Sequence, residues 1–274
     1  MPVLSAEDRA FWEEHGYVTI HDAVPPENTK AAEDAVWDFL EMDAEDRESW
    51  YPDPPRSSIM VEIYQHQALW DNRQFPRVHQ AFAEIWGPEE LWVSFDRASM
   101  SPPNRPPKWN RTDAGLHWDR NPFDPPSNLG VQGVLYLTDT AANQGAFTCV
   151  PGFHHKIETW LETLPKDADP RQQDLENLGA EPIAGKAGDL IIWHSSLPHG
   201  AGPNFANQPR VAQYITMFPA GEDSEEARGK RIDGWRNRGA GFSGEREEKE
   251  NTEGKTAKLT PLGRKLLGLD KWRG

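Results

Sequence analysis

The chain has 274 residues, 36% of them hydrophobic, which suits one large domain with a core of its own. No apolar run approaches the roughly 20 residues that a membrane-spanning helix needs, and the N-terminus lacks the basic-then-apolar order of a secretory leader. A formal net charge of −15 disfavours nucleic acid and anionic lipid, and a single cysteine, Cys149, rules out an internal disulfide and points to a reducing cytoplasm.

Ser5 followed by Asp8 reads as a helix N-cap with an acidic first turn, with Phe11 and Trp12 expected to face inward and Gly16 to stop the helix. Tyr17 to Ile20 reads as a short strand. Pro25 and Pro26 open a second helix, on which Ala32, Val36, Phe39 and Leu40 recur at helical spacing. The charged, proline-rich stretch from Met42 to Arg56 reads as a loop. A further helix is expected from Phe75 to Trp86, with Val78, Phe82 and Ile85 on its buried face and Gly87-Pro88 as its stop.

Beyond Pro88 the pattern changes to alternation. Leu91 to Ala98, Val131 to Thr138, Ala146 to Val150, Leu190 to Trp193 and Val211 to Phe218 read as strands, separated by Gly, Pro and Asn clusters. Many short strands with frequent turns imply an antiparallel sandwich or barrel, with one helical insert from Lys156 to Thr163. From Gly221 the chain is polar. Glu245 to Lys255 reads as solvated and either mobile or a surface loop, and Leu259 to Leu267 as a closing helix ended by Gly268. The expected organisation is a single domain over 1–274, with helical support in 1–90, a β core in 91–220 and a polar extension in 221–274.

The chemistry concentrates in Gly115-Leu116-His117-Trp118-Asp119-Arg120. On a strand, residues two apart share a face, so His117 and Asp119 would project together and Trp118 away from them. An imidazole and a carboxylate side by side supply two thirds of a facial triad, the ligand set that leaves three cis positions of an octahedral iron open. The third ligand is expected at His199, after the strand-like Asp189 to His194 and before a glycine-rich turn. His194 is its nearest competitor, and His154 and His155 follow a Pro-Gly turn. The alternative for His117 is a core histidine bonded to Asp119.

Three open positions accommodate a bidentate 2-oxo acid and O2. A distal carboxylate then needs a fixed cation, and a guanidinium grips it with two parallel hydrogen bonds. Arg210 starts the last strand and meets that requirement; the alternative is a surface arginine closing a loop after Gln208-Pro209.

These elements together resemble the phytanoyl-CoA dioxygenase family of iron(II)/2-oxoglutarate oxygenases, from about Leu4 to about Phe218. His117-Trp118-Asp119 matches the family's His-x-Asp, and Asn143 to His154 resembles its Asn-Gly turn, strand and Pro-Gly element. Gly188 to Ser195 resembles the strand before the distal histidine, His199 to Asn204 the distal histidine motif, and Glu14 to Val18 its N-terminal element. Arg210 falls at the spacing of the 2-oxoglutarate arginine. The resemblance implies a double-stranded β-helix, a cupin-like jelly-roll barrel with flanking α-helices.

It also implies Fe(II), 2-oxoglutarate and O2 as cofactors, with ascorbate as a supporting reductant in vitro, and His117, Asp119 and His199 as metal ligands. Phe153 departs from the family's serine in the Pro-Gly element. Ala201 stands where the family often has a serine that holds 2-oxoglutarate, and Gln132 and Tyr136, on one strand face, are the residues placed to replace that contact. The implied activity is hydroxylation of a C–H bond of a small-molecule metabolite, with release of succinate and CO2; a carboxylate at 119 argues against a halogenase. Arg97, Arg105, Lys108, Arg111 and Arg120 could meet an anionic substrate or simply balance Asp96, Asp113 and Asp124. The loop from Met100 to Asp113 could serve as a lid, and the cluster Arg228, Lys230, Arg231, Arg236 and Arg238 could close the site. Two other readings use the same residues: a zinc hydrolase or isomerase on a cupin-like barrel, which would not need Arg210, and a non-catalytic ligand-binding barrel.

Overall fold

The computed structural model describes residues 2–125, 130–221, 224–239 and 248–273. Helices dominate the first third: α1 (Ala6–His15), α2 (Pro26–Leu40), α3 (Gln67–Arg73) and α4 (Pro76–Trp86), interrupted by strands β1 (Tyr17–Ile20) and β2 (Met60–Val61). Strands β3 (Leu91–Val93), β4 (Ala98–Ser101), β5 (Val131–Tyr136) and β6 (Phe147–Cys149) follow, then α5 (Ile157–Thr163). Next come β7 (Glu181–Ile183), β8 (Leu190–His194), β9 (His199–Ala201), β10 (Arg210–Tyr214) and β11 (Met217–Pro219). The chain closes with α6 (Glu225–Asn237), α7 (Glu248–Glu253) and α8 (Pro261–Leu267). No helix among the described residues is long and apolar enough to cross a membrane.

The strands pair antiparallel throughout, in a six-stranded sheet β1-β8-β5-β10-β4-β2, a three-stranded sheet β7-β6-β9 and the pair β11-β3. The period-2 alternation of side chains divides the interior in two. Val131, Leu135, Leu190, Ile192 and Val211 point to one side of the large sheet and pack with Val36, Leu69, Trp70 and Phe82 of the helices. Their neighbours Val134, Tyr136, Ile191, Trp193 and Ala212 point to the other side and pack with Phe147 and Cys149 of the small sheet. The helices therefore support one face and leave the other, between two sheets, for chemistry.

Several expectations change. Among the described residues the strands form three sheets and no closed barrel. Pro198 and Pro203 flank β9 and have no N–H with which to lengthen its ladder. Phe11 is 38% exposed, because α1 buries none of its side chains fully. The N-terminal cap is as read, with Ser5 and Asp8 forming a reciprocal capping box and Gly16 in the left-handed conformation. The C-terminal region is not a loose tail: α8 buries Leu266 and Leu267 completely, and Glu250 of α7 accepts the backbone N–H groups of Tyr64 and Gln65. Of the stretch expected to be mobile or a surface loop, residues 248–253 are helical, and 240–247 lie outside the described residues.

Candidate metal centre

His117 does not sit in a regular strand. It forms a single antiparallel bridge with His199, each backbone N–H donating to the other's carbonyl at 2.9 Å. The bridge requires the 114–117 segment to run directly over β9, and Gly200 permits this: a Cβ there would lie 2.2 Å from the Ala114 carbonyl oxygen. The alternation expected of a strand nevertheless holds. Trp118 points away, buried against Phe153 and Trp160 with its indole N–H donating to the Ser196 carbonyl, and this anchor turns His117 and Asp119 to the opposite side.

The three expected ligands converge. Their donor atoms lie within 4.8 Å of one another. Asp119 Oδ1 is 3.6 Å from His117 Nε2, and Oδ2 is 3.5 Å from His199 Nε2. His117 Nδ1 pairs with the Gly115 carbonyl at 2.8 Å and His199 Nδ1 with the Leu197 carbonyl at 3.0 Å. A carbonyl can only accept, so each Nδ1 carries a proton and each Nε2 is the ring nitrogen turned to Asp119, the orientation that metal-binding histidines need. The His199 ring and then the Gln132 amide hold the Asp119 carboxyl below the usual carboxylate range, against the opposing effect of burial. Two imidazole Nε2 atoms and one carboxylate converging from one side fit a divalent iron and leave its other face open to the cavity.

The competing histidines are elsewhere. His194 lies on the helix-facing side of β8, stacked on His154, with its Nδ1 accepting the Ser196 N–H. His154 and His155 both reach the Glu13 carbonyl at the end of α1.

Arg210 is 1% exposed, on the same face of β10 as Tyr214. Its Nε donates to the Gly145 carbonyl at 2.8 Å and its Nη1 to Ser99 Oγ at 2.6 Å, and no carboxylate among the described residues pairs with it. Tyr136 is also buried; its hydroxyl donates to the Ile183 carbonyl at 2.7 Å and accepts the Phe147 N–H at 2.8 Å. Gln132 donates to Asp119 Oδ2 at 2.5 Å, so in this structure it contacts a metal ligand. Its Oε1 and the Nε1 of Trp193, its partner across the β5–β8 ladder, have no hydrogen-bond partner among the described residues.

A cavity of about 600 Å3 opens over the triad. Its lining includes His117, Asp119, His199, Gln132, Trp193 and Phe147, and also Arg56, Arg97, Lys108 and Arg111. The Pro107 to Arg111 part of the loop expected as a lid forms one wall. Arg56 and Trp193 were not singled out by the sequence; Trp193 carried a signal, since it shares the inward parity of Ile191, whereas Arg56 lies in an irregular loop and carried none. Arg105 pairs with Glu48, and Arg120 meets Ser196 and Asp124. None of the second basic cluster reaches the cavity: Arg231, for example, is packed among Trp92, Phe95 and Phe218.

The family model for phytanoyl-CoA dioxygenase matches residues 12–212, which holds all four sequence-predicted polar anchors of the site. The chain belongs to this family. A Dictyostelium discoideum protein named for phytanoyl-CoA dioxygenase is 25% identical over 264 residues, covering 76% of this chain and 74% of that one. The human peroxisomal phytanoyl-CoA dioxygenase is 21% identical over 221 residues, covering 74% and 64%. Among solved structures, the SnoN epimerase of nogalamycin biosynthesis, in complex with Fe3+, alpha-ketoglutarate and nogalamycin RO, superposes with a TM-score of 0.57 at 18% identity over 78% of this chain and 83% of that one. A hypothetical protein of Escherichia coli superposes with a TM-score of 0.71 at 18% identity over 97% and 82%. The phytanoyl-CoA dioxygenase fold is thus shared with proteins of little sequence similarity.

Proposed function

We propose that this phytanoyl-CoA dioxygenase family member uses iron(II) and 2-oxoglutarate to hydroxylate a C–H bond of a small-molecule metabolite. The balance is one O2 and one 2-oxoglutarate consumed, with one oxygen atom entering the substrate, the other entering succinate, and CO2 leaving. The carrying observation is the triad, whose two Nε2 atoms and one carboxylate converge at the mouth of a cavity. A solved relative of the fold binds iron and alpha-ketoglutarate together, which supports the same pairing here. Bound iron would supply the O2 activation and the oxidising power.

The chain's own side chains do the rest. His117, Asp119 and His199 would hold the metal on one face, and the carbonyls of Gly115 and Leu197 fix both imidazole tautomers for that task. Arg210 would anchor the distal carboxylate of 2-oxoglutarate: it is buried, unpaired with any described carboxylate, and pre-aimed by Gly145 and Ser99. Tyr136, with its proton already committed to Ile183, would act there as a wall rather than a donor. The two facing sheets are read as the halves of a double-stranded β-helix, in a single domain over 1–274. Asp119 occupies the position that a halide would need, which favours hydroxylation. Cys149, the only cysteine, is free and buried, in keeping with a cytoplasmic location.

Incubation with iron(II), ascorbate, 2-oxoglutarate and a metabolite panel tests this reading. Substrate-stimulated succinate release that requires O2 and is lost in Asp119→Ala is expected. Turnover of a panel member without O2 or 2-oxoglutarate would instead indicate a hydrolase or isomerase.

A further inference from the structure

The charges lining the cavity do not balance. In a chain of net charge −15, the wall carries four cations, Arg56, Arg97, Lys108 and Arg111, against two carboxylates, Asp96 and Asp119. Lys108 is answered by Glu48 at 3.7 Å and Arg97 by Asp96 at 4.0 Å. Asp119 belongs to the metal in the reading above. Arg56 donates to the carbonyls of Met100, Ile59 and Met60 and to the Met100 sulfur, all neutral acceptors that fix its position without neutralising it. The Arg111 side chain makes no hydrogen bond and no ion pair with the described residues, and only its backbone is held, by Asn104. Burial, then the nearby Arg210, disfavour its charge, and the unbonded Asp113 and Tyr214 offset this only in part.

Once iron(II) is bound by Asp119 and by the near carboxylate of 2-oxoglutarate, and Arg210 by the far one, these groups are neutral together. Two guanidinium charges, Arg111 and Arg56, then remain on the wall with no ion pair to a carboxylate among the described residues. A half-buried, unpartnered guanidinium is costly and preorganised for a bidentate oxyanion.

We propose that this cavity selects substrates that carry an oxyanion, a carboxylate or a phosphate ester, and that Arg111 is the residue that receives it, with Arg56 as the second positive charge. The apolar remainder of such a substrate would lie against Ile59, Trp109, Phe147 and Trp193, which share the lining. The proposal rests on the iron and 2-oxoglutarate reading only for the charge count; Arg111 is unpartnered in any case.

Calorimetric titration of the anaerobic iron(II)/2-oxoglutarate protein with hexanoate, hexyl phosphate and hexan-1-ol tests it. At least one of the two anions is expected to bind saturably, about ten-fold or more tighter than the alcohol, and the better anion identifies the group. Arg111→Gln should remove that preference, and Arg111→Lys should keep part of it. Equal binding of alcohol and anions, no saturable anion binding, or an Arg111→Gln variant that retains the preference would overturn the proposal. So would a variant that loses 2-oxoglutarate and keeps the anion. Repeating the titration with no 2-oxoglutarate present separates the two readings: Arg111-dependent anion binding by a protein that never binds 2-oxoglutarate would sink the oxygenase and leave the anion site standing.

Discussion

Asp119 faces two imidazoles and one amide, and the amide is the part the sequence could not assign. The Gln132 Nε2 donates to Oδ2 at 2.5 Å, so the carboxylate is oriented from the strand behind it. Partners of this kind typically change metal affinity about 10–100-fold. Gln132→Leu is therefore expected to weaken manganese(II) or iron(II) binding by about ten-fold, measured calorimetrically, with the far-UV circular dichroism unchanged; unaltered affinity would refute the orienting role. His117, Asp119 and His199 were legible because a local motif and a parity rule specify them. Gln132 was legible as an inward-facing residue, but its partner lies 13 residues away and the contact depends on how the 114–119 segment crosses β9. Arg56 was illegible for the same reason in stronger form: an irregular loop has no periodicity from which to predict where its side chains arrive.

At the scale of elements, capping and turn chemistry predicted α1, α2, α4 and α8, while α3 and α6 went unread. Helix α6 has no fully buried side chain and so no apolar stripe; it docks through Arg231, which donates to the carbonyls of Val93, Leu266 and Leu267 from within three aromatic rings. The junction of α1 with the 3-10 turn at Phe153–His155 makes a pH prediction. Gly16 has no side chain because His154 Nδ1 lies 2.5 Å from where its Cβ would be. Burial, then the neighbouring His155, pushes the His154 imidazole down to about 4. An unfolded histidine titrates near 6.5, so between about 6.5 and about 4 the unfolded chain binds more protons than the folded one, and stability falls as pH falls through that window. The drop in Tm on going from about pH 7 to about pH 5 should be smaller in His154→Gln than in the wild type. An identical drop in both would show that His154 does not contribute.

Over the whole molecule, the helices and the C-terminal segment share one core with the outer face of the large sheet, and the metal site opens beside the second core, which supplies Phe147 and Trp193 to its cavity. Leu266 and Leu267 are fully buried in the first, so Leu267→Ala is expected to cost about 2–5 kcal/mol, seen as a lower Tm in a single cooperative transition. A separate early transition of the C-terminal segment would contradict this shared core. The sheets were legible from alternation, but their division into six, three and two strands was not, because the breaks arise where prolines and bends remove ladder donors, a tertiary outcome. The most direct test of the central claim is an anaerobic titration of iron(II) and then 2-oxoglutarate, followed by the visible charge-transfer absorption of an iron-bound 2-oxo acid. The expected result is a band that saturates at one iron per chain, is absent in His199→Ala, and needs about ten-fold or more 2-oxoglutarate in Arg210→Gln. A wild-type protein that never forms the band, or a His199→Ala variant that forms it fully, would contradict the account.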